Sequence, residues 1–172
     1  KKMADEGRDS RKEAVDDALR AFLRCVDEYQ AASAEVAACC KSGVFDIAQA
    51  RKNMAGKGIG VSQIHYPARM RARATVDVTP SQGEEEGKAS MSLKMREEQI
   101  LVDEDGNEDP SMDRDPIKWF GLLVPVQLKN SQKTFKRGLE SAVGAARAVV
   151  AMEATWARYE RLLEDLRETP QE

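Results

Sequence analysis

The chain has 172 residues, of which 41% are hydrophobic, 33% charged and only 5% aromatic, a composition that favours helices with solvated faces over one thick core. Its 27 basic residues are outnumbered by 30 acidic ones, so the charge gives no reason to expect a nucleic-acid-binding surface. The longest apolar run, near residues 122–126, is far too short to cross a bilayer.

The first half of the chain carries a nearly unbroken heptad pattern. Apolar residues recur at alternate intervals of four and three, which predicts a long coiled-coil helix over 12–54, preceded by a disordered tail over 1–11. Cys40 and Gly43 lie on the same stripe as small residues. The large core positions of this helix are predicted to be Phe22, Val26, Tyr29, Val36 and Ile47.

A second heptad pattern predicts a long coiled-coil helix over 128–168, followed by a short tail over 169–172. Each helix carries a stripe too narrow to be stable alone, so we expect the two helices to pair as an antiparallel hairpin. The register that sets Gly43 opposite Gly138 and Val26 opposite Trp156 places small residues against small ones. The core positions of the second helix are predicted to be Phe135, Val149, Met152, Trp156, Tyr159 and Leu163.

The long insertion between the helices, residues 55–127, has a different character. Residues 69–78 alternate between apolar and polar side chains, which predicts a strand whose partner is either 91–95 or 99–102. The arginine face of that strand would either bind phosphate groups or serve as a solvated edge. Residues 79–88 are rich in Gly, Ser and Glu, and residues 103–115 are rich in acidic residues. These compositions predict that both stretches are disordered linkers. The expected fold is therefore mainly α, a long antiparallel two-helix coiled-coil hairpin with an insertion that holds a small β-ribbon and an acidic linker.

Residues with catalytic or ligand-binding potential do not form a recognisable site. His65 has no nucleophile or metal ligand near it in sequence, and the glycines of 56–60 lack the spacing of a phosphate-binding loop. The acidic stretch 103–109 fails the twelve-residue geometry of a calcium loop, and no further Cys or His cluster completes a metal site with Cys39 and Cys40. We expect no cofactor, no metal and no enzymatic activity.

Residues 115–125, Asp-Pro-Ile-Lys-Trp-Phe-Gly-Leu-Leu-Val-Pro, form an apolar stretch between two prolines. The prolines and the central glycine disfavour a simple helix. We call residues 119–125 the WFGLLVP segment, and two interpretations stand: it caps the open end of the hairpin, or it is an exposed anchor for a partner. The candidate residues for either role are Trp119, Phe120, Leu122, Leu123, Val124 and Pro125, together with Arg51 and Met54, which the proposed register brings near them.

Two blocks of the sequence resemble a known family, and together they cover about half of the chain. The first is residues 47–54, continued by Gly58, Val61 and Tyr66, and the second is residues 115–128 with Gln132, Phe135, Gly138 and Leu139. These blocks resemble the small coiled-coil assembly factors of the vacuolar-type proton ATPase, which include the yeast endoplasmic-reticulum assembly factor and its animal coiled-coil-domain-containing relatives. The second block is the more specific of the two, because it combines Trp-Phe-Gly and Leu-Val-Pro directly before a long helix.

The resemblance implies a non-catalytic assembly chaperone that is peripheral to the cytosolic face of the endoplasmic reticulum membrane, extending to ER–Golgi compartments. The implied partners are a small membrane-integral assembly factor and the membrane-sector subunits of the V-ATPase, the part of the pump that translocates protons. The family has no catalytic residues to transfer to this chain. The alternative is a generic coiled-coil scaffold or tether, in which the WFGLLVP segment is only a cap.

Overall fold

A computed structural model describes residues 2–55, 61–62, 66, 72–79, 90–97, 101–102, 108–109, 115–121 and 123–168. The glycine run 56–60, His65, the linker 79–88 and most of the linker 103–115 lie outside the described residues, apart from the edge positions 79, 108–109 and 115. The described elements, in chain order, are α1 (Lys2–Met54), β1 (Ala74–Thr79), β2 (Ser90–Met95), β3 (Leu101–Val102), β4 (Glu108–Asp109), a 3-10 helix (Pro116–Phe120) and α2 (Val126–Glu168). The predicted fold class, a mainly helical antiparallel hairpin with an insertion that holds a small sheet, is confirmed. Neither helix, within the part of the chain that the structure describes, has a stretch long and apolar enough to cross a membrane.

The first helix ends at Met54, where the glycine-rich run begins, but it starts at residue 2 instead of residue 12. The stretch that we expect to be a tail is therefore helical in its described part. Polar contacts spaced by one turn stabilise this stretch: Lys12 Nζ lies 3.0 Å from Asp9 Oδ1, and Arg11 Nε donates to the Gly7 carbonyl at 3.1 Å.

The insertion contains short paired strands. β1 lies at the end of the alternating stretch and pairs with β2, so 91–95 is the correct partner of the two candidates. Arg96 N–H donates to the Arg73 carbonyl at 2.7 Å and Lys94 pairs with the Asp77 carboxylate, so the two strands run antiparallel. The other candidate partner contributes β3, which pairs antiparallel with β4 inside the acidic stretch.

The chain forms two compact units, each of which contains part of both long helices. The first comprises residues 1–33, 78–91 and 142–172. The rings of Phe22 and Trp156 lie 5.2 Å apart in this unit, and those of Trp156 and Tyr159 lie 5.3 Å apart. Its buried core consists of small and β-branched residues, namely Val15, Ala18, Val143 and Ala148. Among the predicted core positions, Tyr29, Val149 and Trp156 are exposed, whereas Phe22, Val26, Met152, Tyr159 and Leu163 are half-buried.

The second unit comprises residues 34–77 and 92–141. The Ser131 hydroxyl on α2 is buried and donates to the Gly43 carbonyl on α1 at 2.9 Å, which joins the two helices. The predicted core positions Val36, Ile47 and Phe135 are half-buried. The buried residues of this unit are Cys39, Gly43, Ala50, Met54, Phe120, Leu128, Ser131 and Gly138.

The predicted helix register is wrong by about one helical turn. A Cβ at Gly43 would lie 2.8 Å from Phe135, whereas a Cβ at Gly138 would meet Cys39 at 3.0 Å, so small residues face larger ones. Cys39 is the buried thiol of the neighbouring pair and Cys40 is exposed, contrary to the predicted stripe. The physical reason is that the Phe135 ring needs space beside α1, which only a residue without a side chain offers.

Candidate functional site

The 3-10 helix Pro116–Phe120 contains the start of the WFGLLVP segment and lies within the second unit. Asp115 caps this helix, since its carboxylate accepts a hydrogen bond from the Ile117 N–H at 3.2 Å. The same oxygen, Oδ1, accepts a hydrogen bond from the side-chain amide of Gln132 on α2. Pro116 suits the first position, because its fixed φ matches the helix and it lacks an N–H that would need a partner. Asp115 therefore fixes the segment to α2.

Phe120 is the inward-facing anchor of the segment. Its side chain is 8% exposed and forms a buried cluster with Ala50 near the end of α1 and Leu128 near the start of α2. Met54, one turn after Ala50, is also buried. Half-buried apolar side chains surround the cluster, namely Ile47, Val61, Ile117, Trp119 and Val124. The segment thus packs across both helices where they approach the insertion, as the cap interpretation requires.

Tyr66 joins the two sequence blocks that carry the family resemblance. Its ring lies 5.8 Å from the Trp119 ring, at an interplanar angle of 58°, and 6.2 Å from the Phe120 ring, at 79°. Such tilted and edge-on arrangements are favourable for aromatic pairs. Val61 of the first block also packs here. Tyr66 is not among the site residues predicted from the sequence, although its place in the first block is a signal that it belongs to the site.

The Trp119 indole N–H is buried, and within the described residues it has no hydrogen-bond partner. A buried donor without an acceptor costs about 1–3 kcal/mol. The Trp119 ring nevertheless packs against the apolar cluster and beside Tyr66. This donor is therefore a place where an additional acceptor would stabilise the cap.

Leu123 is the outward-facing residue of the segment, with 94% of its side chain exposed. The chain turns before it at Gly121, whose φ of 99° is readily adopted only by glycine. After it, the Pro125 carbonyl accepts hydrogen bonds from the Leu128 and Lys129 N–H groups at 3.1 and 3.3 Å, which fixes the start of α2. Val126 adds a second apolar side chain that is 66% exposed.

The remaining predicted site residues divide in the same way. Arg51 is exposed on α1, Pro125 and Val124 are half-buried, and Leu122 lies outside the described residues. The segment thus has a buried side and an exposed side. Phe120 lies on the buried side and Leu123 on the exposed side.

A polar contact between the helices adjoins Gly138 in the same unit. Arg137 Nε lies 2.8 Å from Glu35 Oε1 and donates to Cys39 Sγ at 3.4 Å. The hydrogen bond to Cys39, followed by the Glu35 charge, raises the pKa of Arg137 above its ordinary value. Among the described residues, no group of three or more His, Cys, Asp or Glu side chains is arranged to hold a metal ion. The contact of Arg137 with Glu35 and Cys39 therefore joins the two helices.

The model of the Vma22/CCDC115 family matches residues 16–138 of the chain, a stretch that includes the first block, the second block as far as Gly138 and the whole WFGLLVP segment. The chain is also similar to proteins that are named Vacuolar ATPase assembly protein VMA22. The Mus musculus protein is 29% identical over 150 residues, which are 78% of this chain and 81% of that protein. The Bos taurus protein is 29% identical over 177 residues, 94% of this chain and 93% of that protein, and the Homo sapiens protein is 26% identical over 148 residues, 77% and 79% respectively. The chain belongs to the Vma22/CCDC115 family, as the resemblance of the two blocks predicts.

Proposed function

We propose that this chain is an assembly factor for the V-ATPase, which acts by binding and not by catalysis. Its membership of the Vma22/CCDC115 family and its similarity to proteins named vacuolar ATPase assembly proteins support this function. The finer proposal is a chaperone at the cytosolic face of the endoplasmic reticulum membrane. There it binds a small membrane-integral assembly factor and helps to assemble the membrane sector of the pump.

The exposed side of the WFGLLVP segment is the proposed contact surface. The observation that carries this proposal is the 94% exposure of Leu123 next to a buried Phe120. Burying one leucine side chain on a partner contributes about 1.5–3 kcal/mol. Hydrogen bonds to the Pro125 carbonyl fix the chain after Leu123 at the start of α2, which reduces the conformational freedom lost on binding. Val126 extends this apolar surface onto the first turn of α2.

The test is a pull-down from detergent-solubilised membranes with the wild-type chain and a Leu123→Ser, Val126→Ser double variant. We expect the wild type to recover V-ATPase membrane-sector subunits and a small membrane-integral protein. The double variant should recover at least about tenfold less of both. Both substituted side chains are exposed, so the fold is retained.

Leu139→Ser is the matched control, because Leu139 is a 42% exposed leucine on α2 outside the segment. Its recovery should equal that of the wild type. If the wild type recovers neither class of protein, the assembly function is wrong. If the double variant recovers both as well as the wild type does, the WFGLLVP segment is a cap and the contact surface lies elsewhere.

A further inference from the structure

In the second unit, the solvent-exposed face of α1 carries large apolar side chains. Val44 and Phe45 are 60% and 62% exposed, although both are large apolar residues in the middle of a helix. They follow Gly43, which faces Phe135 of α2, and at 100° per residue they point to the opposite half of the helix. The exposed residues that share this half between positions 34 and 52 are Ala34, Ala37, Ala38, Lys41, Ser42, Val44, Phe45, Ala48, Gln49 and Lys52, which we call the Val44–Phe45 face.

The charges on this face are all positive. Lys41 and Lys52 are its only charged residues, and both are exposed. The carboxylates of the same stretch, Glu35 and Asp46, are half-buried and lie on the side of α1 nearer to α2. Glu35 is paired there with Arg137. The two lysines therefore have no acidic neighbour on their own face.

The exposed residues of α1 in the first unit have a different pattern. Between positions 16 and 28 they carry both signs of charge, from Asp16, Asp17, Arg20, Arg24, Asp27 and Glu28. Mixed charge of that kind is what a solvated helix face needs. The Val44–Phe45 face instead carries charge of one sign around an exposed aromatic and an exposed aliphatic side chain, and adjacent exposed apolar side chains of this kind mark an interaction surface.

We infer that the Val44–Phe45 face binds an amphipathic helix of another protein, one whose apolar stripe is flanked by carboxylates. Val44 and Phe45 supply the apolar contact, and the lysines attract the flanking carboxylates. A second copy of this chain fits less well, because it would bring four lysines together without any carboxylate. A lipid surface also fits less well, because the alanines contribute little partition energy beyond Phe45.

Two synthetic helical peptides test this inference against the full chain. They share one stripe of leucine and alanine, and one carries glutamates beside the stripe where the other carries lysines. By fluorescence anisotropy, the glutamate peptide should bind at least about tenfold more tightly than the lysine peptide, and added salt should reduce the difference. A Lys41→Glu, Lys52→Glu variant should reverse this preference.

The apolar contribution is tested by a Val44→Ser, Phe45→Ser variant, which should lose binding of the glutamate peptide. Leu23→Ser is the control, because Leu23 is 52% exposed on α1 in the first unit, and it should bind as the wild type does. Circular dichroism establishes that each variant is folded. The inference is overturned if neither peptide binds or if both bind equally. It is also overturned if the Val44→Ser, Phe45→Ser variant loses self-association in sedimentation, or loses binding to anionic vesicles, while its peptide binding is unchanged.

Discussion

The ring of Phe135 occupies the space that a side chain at residue 43 would need. A Cβ at Gly43 would lie 2.8 Å from both Cε2 and Cζ of Phe135. Beside this contact, the Ser131 hydroxyl donates to the Gly43 carbonyl. A glycine inside a helix costs about 1 kcal/mol relative to alanine, so the close approach of the Phe135 ring is the physical reason for a glycine at this position.

Two glycine substitutions should have opposite effects on stability. Gly43→Ala should lower the free energy of unfolding by about 1–2 kcal/mol, because overpacking against Phe135 outweighs the gain in helix propensity. Gly144→Ala should raise it by about 0.5–1 kcal/mol, since a Cβ there meets nothing within 4 Å. Urea unfolding followed by circular dichroism measures both. A stabilising Gly43→Ala would show that the Phe135 ring moves aside easily.

The three cysteines should react with a thiol reagent in a fixed order. Cys40 is exposed, Cys25 is half-buried and Cys39 is buried, so Cys40 should be labelled first and Cys39 last. Labelling of Cys39 requires local opening of the helix pair, which should slow it by at least roughly tenfold relative to Cys40. Mass spectrometry of the native protein under limiting maleimide gives the order, and urea should abolish the difference. Equal rates for Cys39 and Cys40 under native conditions would contradict the observed burial.

Phe120 and Leu123 should differ sharply in their effect on stability. Phe120→Ala removes a buried ring from the cluster with Ala50 and Leu128, and should lower the free energy of unfolding by about 3 kcal/mol. Leu123→Ala should change it by less than about 0.5 kcal/mol, because the side chain is already in solvent. Denaturant titration of the two variants beside the wild type provides the comparison. A large loss of stability in Leu123→Ala would mean that Leu123 packs within the chain.

Substitutions of Asp115 should distinguish the stability that comes from its hydrogen bonds with Ile117 and Gln132 from the stability that comes from its charge. Asp115→Ala removes the acceptor for Ile117 N–H and Gln132, and should destabilise the 3-10 helix by about 1–2 kcal/mol. Asp115→Asn keeps a side-chain carbonyl and should lose less. Hydrogen exchange at the amide of Ile117 reports the local effect. Identical exchange in the two variants would assign the stabilisation to the charge of Asp115.

Local signals in the sequence predict much of the fold. The glycines after residue 55 and the proline at 125 mark the end of α1 and the start of α2 closely, because both residue types interrupt helices. The alternation before residue 79 predicts β1 for the same local reason. The WFGLLVP segment draws attention through its composition and its family resemblance, before any coordinate is known.

Local signals do not predict the register of α1 against α2, nor which residues of the WFGLLVP segment are buried and which are exposed. If one heptad helix slides past another by a turn, apolar residues again lie opposite each other, so the heptad pattern does not determine the register. The register depends on individual contacts, such as the packing of the Phe135 ring against Gly43. A strict heptad repeat also drifts relative to the turn of a straight α-helix. This drift decides that Cys39 is buried and Cys40 is not. The segment itself has no period, so the sequence does not reveal that Phe120 faces inward and Leu123 outward.

Phe120 is buried and Leu123, three residues later, is exposed, so the partner binding that we propose would depend on local folding of the segment. Only molecules with a closed cap present Leu123 in the geometry that we propose for binding, so the apparent dissociation constant increases as the closed fraction falls. A substitution at Ala50, which is wholly buried and would touch no partner, would then weaken binding by opening the cap. On this proposal, substitutions near the end of α1 would change the affinity for the partner without altering the contact surface itself.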